Sequence, residues 1–580
     1  MTGFLTRPEL QGNFGMVAST HWLASAAGMG VLERGGNAFD AAVTAGFVLQ
    51  VVEPHLNGPG GDMPLIGWDG APFVICGQGV TPAAASVARL RELGLDAVPG
   101  TGFLAACVPG AFGAWLHLLR SRGTLSLGDA LAPAIAQAGA GFPVLPAIAR
   151  TIGAVAEMFV SAWPSSAELW LDGGRAPAAG TWWRNPVLAA AYERIVAEAE
   201  AATRDRDDQI EHARTQFYAG WVAEAIVEFQ ASFAAPDTSG RRHHGLLVEA
   251  DLGAWRATEE APVTYDYRGV TVCKTGAWGQ GPVQLQQLAL LAGADVDAPG
   301  SADRIHRVIE GAKLCFADRE AYYGDSADPA PLDALLSDAY AAGRRALIAD
   351  RASLELRPGS PDGRIPRLPA TPSAEIAGAG LVGEPTRGDT CHLDVADRWG
   401  NLVSATPSGG WLQSSPAIPG LGFCLGTRAQ MCRIEDGLPA SLVGGVRPRT
   451  TLSPSLALRD GEGWLAYGTP GGDQQDQWSL LLLLNVVDHG MNLQEAIDFP
   501  AYHSNHAPSS FFPRASAPGV MELEVRGRED LLEALSAQGH TVLDAGPWAL
   551  GRLSAVAREP DGRLRAGANA RGMQGYAAGR

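Results

Sequence analysis

A proline-rich stretch without hydrophobic periodicity divides the sequence at about two thirds of its length. Between residues 357 and 385, prolines alternate with Gly, Ser and Ala, and neither a helical nor a strand period is present. Directly afterwards, apolar and polar residues alternate over 391–395, and 397–406 has the composition of a turn and a returning strand. The sequence therefore predicts a flexible linker over 357–389 that ends at Thr390, where a half-buried β-hairpin begins.

The position of Thr390 suggests a specific chemistry. If the peptide bond between Asp389 and Thr390 were cut, Thr390 would carry a free α-amine with a pKa of about 7.7–8.0. An amine of that basicity can take the proton from the hydroxyl of its own residue at neutral pH, so no histidine is needed as a base. Thr390 is therefore a candidate N-terminal nucleophile, although many threonines at such positions serve only the strand.

Composition and charge exclude several classes of protein. Of 580 residues, 46% are hydrophobic and 18% are charged, which indicates a globular chain with a large core. The net charge of −18 argues against nucleic acid as a partner. The seven cysteines form no CxxC pair, which favours reduced thiols over a zinc site or a disulfide framework.

Targeting signals are weak in this sequence. The first twenty residues have no apolar run of signal-peptide length, and the longest apolar run, 480–484, is too short to span a bilayer. We therefore expect a soluble, cytoplasmic protein without a membrane partner.

Two segments have clear helical signals. Gly35 and Gly36 end one helix, and Asn37 is placed to cap the next, with Asp40 as the acidic member of a capping box. The helix that follows is apolar on nearly every side and should be buried. Residues 101–230 are predicted to be mostly helical as well.

A glycine loop further along is a second candidate site. A predicted strand over 464–467 runs into the loop 468–472, and a predicted helix extends from Asp473 to about His489. This order directs backbone N–H groups toward one point, where they could stabilise an oxyanion. The loop lacks the Lys and Ser/Thr of a nucleotide-binding loop. A plain strand-to-helix turn explains the same residues, and both interpretations stay open here.

Many motifs follow one another in a fixed order along nearly the whole chain. They are VVEPHLNGPGGD at 51–62, GQGP at 279–282, KLCFADREAYYGD at 313–325, GDTCHLDVADRWGNLVSAT at 388–406, RPRTTLSPSL at 447–456 and GTPGGDQQDQW at 468–478. By these motifs the chain resembles the γ-glutamyltranspeptidase family of N-terminal nucleophile hydrolases. The resemblance implies a mixed α/β fold, a four-layer αββα sandwich formed as a single structural domain.

The resemblance also implies how the chain matures and which residues act. A precursor would be cut before Thr390 into a large subunit, 1–389, and a small subunit, 390–580, which remain associated. Thr390 would attack an amide carbonyl and form an acyl-enzyme, without a metal or cofactor. The remaining catalytic positions implied by the family are the oxyanion donors Gly471 and Gly472, and a helper hydroxyl at Ser408, with Thr406 as the alternative.

The substrate-binding positions depart from the family pattern. Gln78 stands where the family has an arginine that binds the α-carboxylate, and Gly410 replaces an asparagine. Arg428 falls in the region that binds the glutamyl amine, where its charge would repel an ammonium group. Thr450 and Thr451 replace a serine pair and keep both hydroxyl groups.

These departures favour a small amide substrate other than a γ-glutamyl compound. Its binding would involve the five positions just named, and an anionic group on it could be met by Arg428, Arg447 or Arg449. Two alternatives remain: a genuine γ-glutamyltranspeptidase or glutathione hydrolase, and an unprocessed, inactive homologue that serves as a scaffold or binding protein.

Overall fold

The structure is a computed structural model that describes residues 5–370, 389–573 and 575–580. Its α-helices are α1 (Trp22–Glu33), α2 (Ala38–Val52), α3 (Val87–Glu92), α4 (Ala111–Arg122), α5 (Leu127–Ala140), α6 (Pro146–Ala162), α7 (Pro164–Trp170), α8 (Pro186–Ala202), α9 (Arg206–Ala219), α10 (Trp221–Ser232), α11 (Glu249–Ala254), α12 (Pro282–Ala292), α13 (Ala302–Tyr322), α14 (Leu332–Leu335), α15 (Asp338–Arg345), α16 (Gln475–Val487), α17 (Leu493–Asp498) and α18 (Glu529–Ala537).

The strands are β1 (Leu10–Gly12), β2 (Gly15–Ser19), β3 (Met63–Trp68), β4 (Pro72–Gly77), β5 (Phe142–Pro143), β6 (Trp182–Trp183), β7 (Ala235–Pro236), β8 (Arg242–His243), β9 (Thr258–Glu260), β10 (Val263–Tyr267), β11 (Val270–Lys274), β12 (Leu393–Asp397), β13 (Leu402–Ala405), β14 (Ser455–Arg459), β15 (Glu462–Gly468), β16 (Tyr502–Ser504), β17 (Val520–Leu523), β18 (Thr541–Asp544), β19 (Ser554–Arg558), β20 (Leu564–Ala568) and β21 (Tyr576–Gly579).

Two antiparallel seven-stranded sheets form the centre of the molecule. Sheet I has the order β21-β2-β12-β13-β3-β4-β9, and sheet II has the order β1-β20-β19-β15-β14-β11-β10. Apolar side chains from both sheets pack face to face, among them Ile66 and Ala396 of sheet I and Leu456 and Val556 of sheet II. The two sheets therefore share one buried interface.

Helices cover the outer face of each sheet. Side chains of α1, α2, α4 and α5 pack against sheet I, and those of α12, α13, α16 and α17 pack against sheet II. The resulting order of layers is helix, sheet, sheet, helix. This confirms the predicted four-layer αββα sandwich.

Helix α2 confirms the sequence prediction for the N-terminal region. The Asn37 side chain accepts from the backbone N–H of Phe39 and Asp40, and the Asp40 carboxylate accepts from the Asn37 N–H, which completes the capping box. All fifteen residues of α2 are buried, as expected for a helix that is apolar on every side.

The hairpin after Thr390 is present, but it is not half-buried. Strands β12 and β13 pair antiparallel as predicted. The prediction of one solvated face is wrong, since His392 and Asp394 are fully buried. Their face of sheet I lies against sheet II, so the polar side chains of this strand point into the sandwich and not into water.

The segment predicted as a linker is described only in part. Residues 357–370 hold one short 3₁₀ turn, Pro361–Gly363, and Arg364 and Arg367 pair with Asp328. Residues 371–388 lie outside the described residues. The division of the chain into 1–389 and 390–580 stays a prediction.

All seven cysteines are buried and unpaired. None of the helices in the described residues combines the length and apolar composition that crossing a bilayer requires.

A buried ion pair fixes helix α16 to sheet II. Lys274, at the end of β11, places its Nζ 3.0 Å from Oδ1 of Asp476, in the first turn of α16, and both side chains are fully buried. Lys274 Nζ also donates to Ser455 Oγ at 2.7 Å, and Ser453 Oγ donates to Asp476 Oδ1 at 2.7 Å. The start of α16, and with it the end of the glycine loop, is therefore held in place by charge.

Replacing the lysine should destabilise the protein strongly. Lys274→Met leaves the Asp476 carboxylate buried without its cation, which should cost about 3–5 kcal/mol. Urea unfolding should show the midpoint moved to lower concentration. The double variant Lys274→Met with Asp476→Asn has no buried charge and should recover part of the loss. An unchanged midpoint for the single variant would contradict this account of α16.

Candidate active site

Thr390 lies three residues before β12, buried at the end of the sandwich. It forms an isolated β-bridge with Ser408, and its Oγ1 donates to Ser408 Oγ at 3.2 Å. Ser408 Oγ donates in turn to the carbonyl oxygen of Asp389 at 3.0 Å. One hydroxyl therefore contacts both the candidate nucleophile and the carbonyl of the bond predicted to be cut.

Thr406, the alternative helper, has a different partner. Its Oγ1 lies 2.9 Å from His392 Nδ1, and the opposite nitrogen of that ring lies 3.0 Å from Asp394 Oδ1. Ser554 Oγ, on sheet II, donates to Asp394 Oδ2 at 2.7 Å. Thr406 thus belongs to a polar chain that joins the two sheets, and Ser408 is the hydroxyl in contact with Thr390.

Cys391, next to the candidate nucleophile, is held as a thiol. Its Sγ donates to Glu53 Oε2 at 2.9 Å, and Asn57 Nδ2 lies 3.1 Å from the same sulfur. Burial raises the pKa of the Cys391 thiol well above its ordinary value, and the adjacent Glu53 carboxyl raises it further. A neutral thiol is a poor nucleophile, so Cys391 does not compete with Thr390.

The glycine loop begins beside His392, two residues after Thr390. Gly468, the last residue of β15, packs so closely on the His392 ring that a Cβ there would lie 2.4 Å from a ring carbon. The loop then places Gly471 at φ +128° and Gly472 at φ +58°, values that favour glycine. A short 3₁₀ turn, Gly472–Gln474, leads directly into α16. The predicted order of strand, loop and helix is confirmed, although α16 itself begins at Gln475 and ends at Val487.

Two side chains that the sequence did not single out, Gln280 and Arg319, support this loop. Gln280 Nε2 donates to the carbonyl oxygen of Gly472 at 3.2 Å, and Arg319 Nη1 donates to Gln280 Oε1 at 2.8 Å. Arg319 also pairs with Asp473, whose carboxylate accepts from the Ser510 backbone N–H at 2.8 Å. Gln280 lies in the motif GQGP, and Arg319 lies in the motif KLCFADREAYYGD. The sequence therefore marked both residues as parts of motifs, but it did not indicate that they support the glycine loop.

A second series of contacts connects Ser408 with the glycine loop, through side chains other than His392. The Ser408 and Asp62 backbones exchange hydrogen bonds of 2.9 and 2.7 Å, and Arg428 Nε donates to Asp62 Oδ2 at 2.8 Å. The Arg428 guanidinium lies over Trp411, at 5.8 Å from the centre of its ring. Trp411 in turn packs in a small cluster with Phe511.

Phe511 completes this path, because a Cβ on Gly472 would lie 3.0 Å from its ring. The contacts therefore run from Thr390 through Ser408 and Arg428 to Gly472, and back through His392. A continuous series of contacts thus links the predicted catalytic residues and Arg428.

Gln78 and Gly410 border the same region. Gln78 is buried, and neither polar atom of its amide has a partner within the described residues. The next residue, Gly79, donates its backbone N–H to Asp62 Oδ1 at 3.2 Å. A Cβ on Gly410 would lie 2.9 Å from the Gly61 nitrogen and 3.0 Å from the Cys424 carbonyl oxygen. The backbone therefore leaves no room for an asparagine at 410.

Thr450 and Thr451 lie next to the support of the loop. Thr450 N–H donates to the Trp278 carbonyl at 2.9 Å, and Thr450 bridges Gly279, the neighbour of Gln280. Thr451 Oγ1 is buried and has no partner within the part of the chain that the structure describes.

All three arginines considered for an anionic substrate are paired with carboxylates of the protein. Arg447 pairs with Asp325 at 2.8 Å and with Glu260 at 2.5 Å. Arg449 Nη2 donates to Glu320 Oε1 at 2.6 Å. Arg428 is paired through Nε, while its Nη2 is buried without a partner among the described residues. Of the three, Arg428 keeps a donor for a ligand.

Glu320 is the centre of a buried charge cluster beneath the loop. Burial raises the pKa of its carboxyl, but the guanidiniums of Arg449, Arg319 and Arg433 lower it well below the ordinary range. Arg319 and Arg433 lie within 3.0 and 3.2 Å of the Glu320 carboxylate. The carboxylate stays ionised and holds these arginines together, and Arg319 joins the cluster to Asp473 in the loop.

Comparison with known proteins agrees with this fold. The Gamma-glutamyltranspeptidase family model matches residues 24–579. Acylase ACY 1 proenzyme of Pseudomonas sp. (strain V22) is 32% identical, over 95% of this chain and 91% of its own. A solved structure described as "Structure of LmbA2991HD" is 55% identical with a TM-score of 0.96, covering all of both chains. The cephalosporin acylase from Bacillus halodurans is 27% identical with a TM-score of 0.84, covering 100% of this chain and 98% of that one.

The fold is that of the N-terminal nucleophile hydrolases, a class of acyl-transferring and amide-cleaving enzymes. Within that class, the chain belongs to the gamma-glutamyltranspeptidase family.

The support of the glycine loop can be tested without a substrate. Gln280→Leu removes the donor to the Gly472 carbonyl and should free the loop. Hydrogen–deuterium exchange of the amides at 469–474 should then rise about tenfold or more, as expected for the loss of one buried hydrogen bond. Gln284→Leu, which removes a bond to Tyr467 Oη at 2.8 Å, is the matched control and should leave these amides unchanged. Equal exchange in wild type and Gln280→Leu would show that the loop is held by other contacts.

Proposed function

We propose that this chain is an autoprocessed, threonine-dependent amide hydrolase, or acyltransferase, that acts on a small amide. The observation that carries the proposal is the position of Ser408 Oγ, within hydrogen-bonding distance of both Thr390 Oγ1 and the Asp389 carbonyl. A hydroxyl at this place can orient the Thr390 oxygen toward the carbonyl carbon and stabilise the oxygen of that carbonyl as charge develops on it.

Processing would follow from this arrangement. Thr390 Oγ1 attacks the Asp389 carbonyl carbon, the C–N bond breaks, and the acyl group moves from nitrogen to oxygen as an ester. Water then hydrolyses the ester, which leaves a carboxylate on Asp389 and a free α-amine on Thr390. The subunits 1–389 and 390–580 would stay together, because β12 of the second pairs along its whole length with β2 of the first.

Catalysis would reuse the same hydroxyl. The new α-amine takes the proton of Thr390 Oγ1, which attacks the substrate amide and forms an acyl-enzyme. The amine then returns the proton to the leaving nitrogen, and water or another acceptor releases the acyl group. Backbone N–H groups of Gly471 and Gly472 are the proposed oxyanion donors, since the loop adjoins the His392 side of the nucleophile.

The lining of the site favours an amide other than a γ-glutamyl compound. Gln78 offers an uncharged donor and acceptor, which cannot replace the two charged hydrogen bonds of an arginine to a carboxylate. Arg428 is paired with Asp62 and keeps its Nη2 for a substrate oxygen. The Thr451 hydroxyl is a further donor. The names of two relatives, both acylases, support an acyl group of a different kind.

A denaturing gel tests the processing step. Wild-type protein should give two fragments, of 389 residues and of 580 − 389 = 191 residues. Thr390→Ala should stay a single chain without amidase activity, because both steps need the hydroxyl. Thr390→Ser, the matched control, keeps a hydroxyl and should still be cut. A wild-type chain that remains intact after long incubation would refute the proposal and favour a scaffold or binding role.

Substrate preference gives a second test. A γ-glutamyl anilide should be turned over with kcat/KM about 10- to 100-fold below that of an ordinary transpeptidase assayed in parallel, the factor expected for a lost charged hydrogen bond. Short-chain acyl anilides serve as the comparison. Turnover of the γ-glutamyl anilide at the rate of the transpeptidase would instead identify a genuine glutathione hydrolase.

A further inference from the structure

An arginine outside the sequence motifs contacts the residue before the predicted cleavage point. The Arg552 guanidinium forms an ion pair with the side-chain carboxylate of Asp389. Arg552 lies two residues before Ser554, where β19 begins, and Ser554 pairs with Gly468 at the start of the glycine loop. Arg552 therefore reaches the candidate site from sheet II, at the end where Thr390 lies.

The Arg552 side chain is partly buried, with 22% of it exposed. Burial lowers the pKa of its guanidinium, against the effect of the nearby Glu53 carboxyl. Burial also raises the pKa of Glu53, whose Oε2 accepts from Thr20 Oγ1 at 2.6 Å and from Cys391 Sγ at 2.9 Å. The pKa of His55 falls to about 3, through burial first and the Arg552 charge second. Glu53 and Asp389 are therefore the carboxyl groups near this guanidinium, and Asp389 is the one that forms the ion pair with it.

This ion pair differs from the others in the site in one respect. The partners of Arg428, Arg447 and Arg449 are Asp62, Asp325 and Glu320, which belong to the body of the fold. The partner of Arg552 is Asp389, the residue that supplies the carbonyl carbon of the peptide bond that processing would break. Once that bond is cut, Asp389 would become the C-terminal residue of the large subunit, and its backbone would no longer be joined to Thr390.

We propose that Arg552 has two successive partners: the Asp389 side chain in the precursor, and the carboxylate of an acidic acyl donor in the mature enzyme. The proposal rests on the proposed function, because it needs cleavage at Asp389–Thr390 to vacate the guanidinium. Arg552 is then a specificity-determining residue that neither the motifs nor the family resemblance indicated.

The precursor itself defines the length of the acyl donor. In Asp389, the carbons Cα and Cβ separate the carbonyl attacked by Thr390 from the carboxylate bound by Arg552. A donor with the same spacing is a monoamide of a four-carbon dicarboxylic acid, such as succinamate. Thr390 Oγ1 forms the ester with the amide carbonyl, the C–N bond breaks, the proton passes to the leaving amine, and water releases the dicarboxylate. Arg552 binds the distant carboxylate and takes no part in bond making.

Two single variants separate the roles in the precursor and in the mature enzyme. Asp389→Ala removes the counter-ion from the precursor, so processing should slow, but the mature fragments differ from wild type only in the last residue of the large subunit. Its KM for succinamate should stay within about twofold of the wild-type value. Arg552→Gln should slow processing and also raise KM for succinamate about 10- to 100-fold. Arg552→Lys, which keeps the charge, should fall between.

Inhibition gives a measure of binding that does not depend on turnover of the acidic donor. Succinate should compete with butyramide for the processed wild-type enzyme and for Asp389→Ala. It should compete about 10- to 100-fold more weakly in Arg552→Gln. Malonate and glutarate, one carbon shorter and one longer, should be weaker inhibitors than succinate. Circular dichroism of each variant confirms that it is folded.

The possible failures are distinguishable. A wild-type chain that is never cut, or that is cut and hydrolyses no amide, overturns the proposed function and this inference with it. A processed and active wild type for which succinate binds equally well with and without the Arg552 guanidinium overturns this inference alone. Weaker succinate binding in Asp389→Ala would also contradict it, since the mature site would then still depend on Asp389.

Discussion

A chain of buried hydrogen bonds between the two sheets holds the centre of this protein together. It runs from Thr406 through His392 and Asp394 on sheet I to Ser554 on sheet II. Polar groups this deep lose their contacts with water, so each needs a partner in the fold, and the partners fix the sheets in one register. His392 lies two residues after Thr390 and packs on Gly468, so the same chain aligns the candidate nucleophile with the glycine loop.

Buried ion pairs fix the arrangement of the segments around the candidate site, as the buried hydrogen bonds do between the sheets. Lys274 with Asp476, Arg428 with Asp62, and Glu320 with Arg449 are buried pairs whose members come from distant parts of the sequence. Such pairs add little net stability, but they penalise any arrangement that separates them. They give the glycine loop and the residues around it a defined geometry in the absence of substrate. The proposed stabilisation of a developing oxyanion requires such a fixed arrangement.

Membership in the gamma-glutamyltranspeptidase family is compatible with the departures from the family pattern at the proposed substrate-binding positions. The two features involve different structural elements. The candidate catalytic residues sit on the ends of central strands and on the loop after β15, where the sandwich determines the backbone. The proposed substrate-binding positions sit on connecting segments. There, Gln78 and Gly410 can change without disturbing a sheet, provided that the close approach of Gly410 to Gly61 is kept.

Local patterns in the sequence determined the parts of this protein that local physics controls. The cap at Asn37, the buried helix α2, the hairpin β12–β13 and the strand before the glycine loop were all predictable, since periodicity and turn chemistry act over a few residues. Motif order indicated the family, and with it the layers of the sandwich. The tertiary structure alone decided that both faces of β12 are buried, that Ser408 and not Thr406 contacts Thr390, and that Arg447 and Arg449 are already paired. It also brought Arg552 to Asp389 across more than 160 positions of the chain. Such contacts depend on how two sheets stack, and no local pattern in the sequence records that stacking.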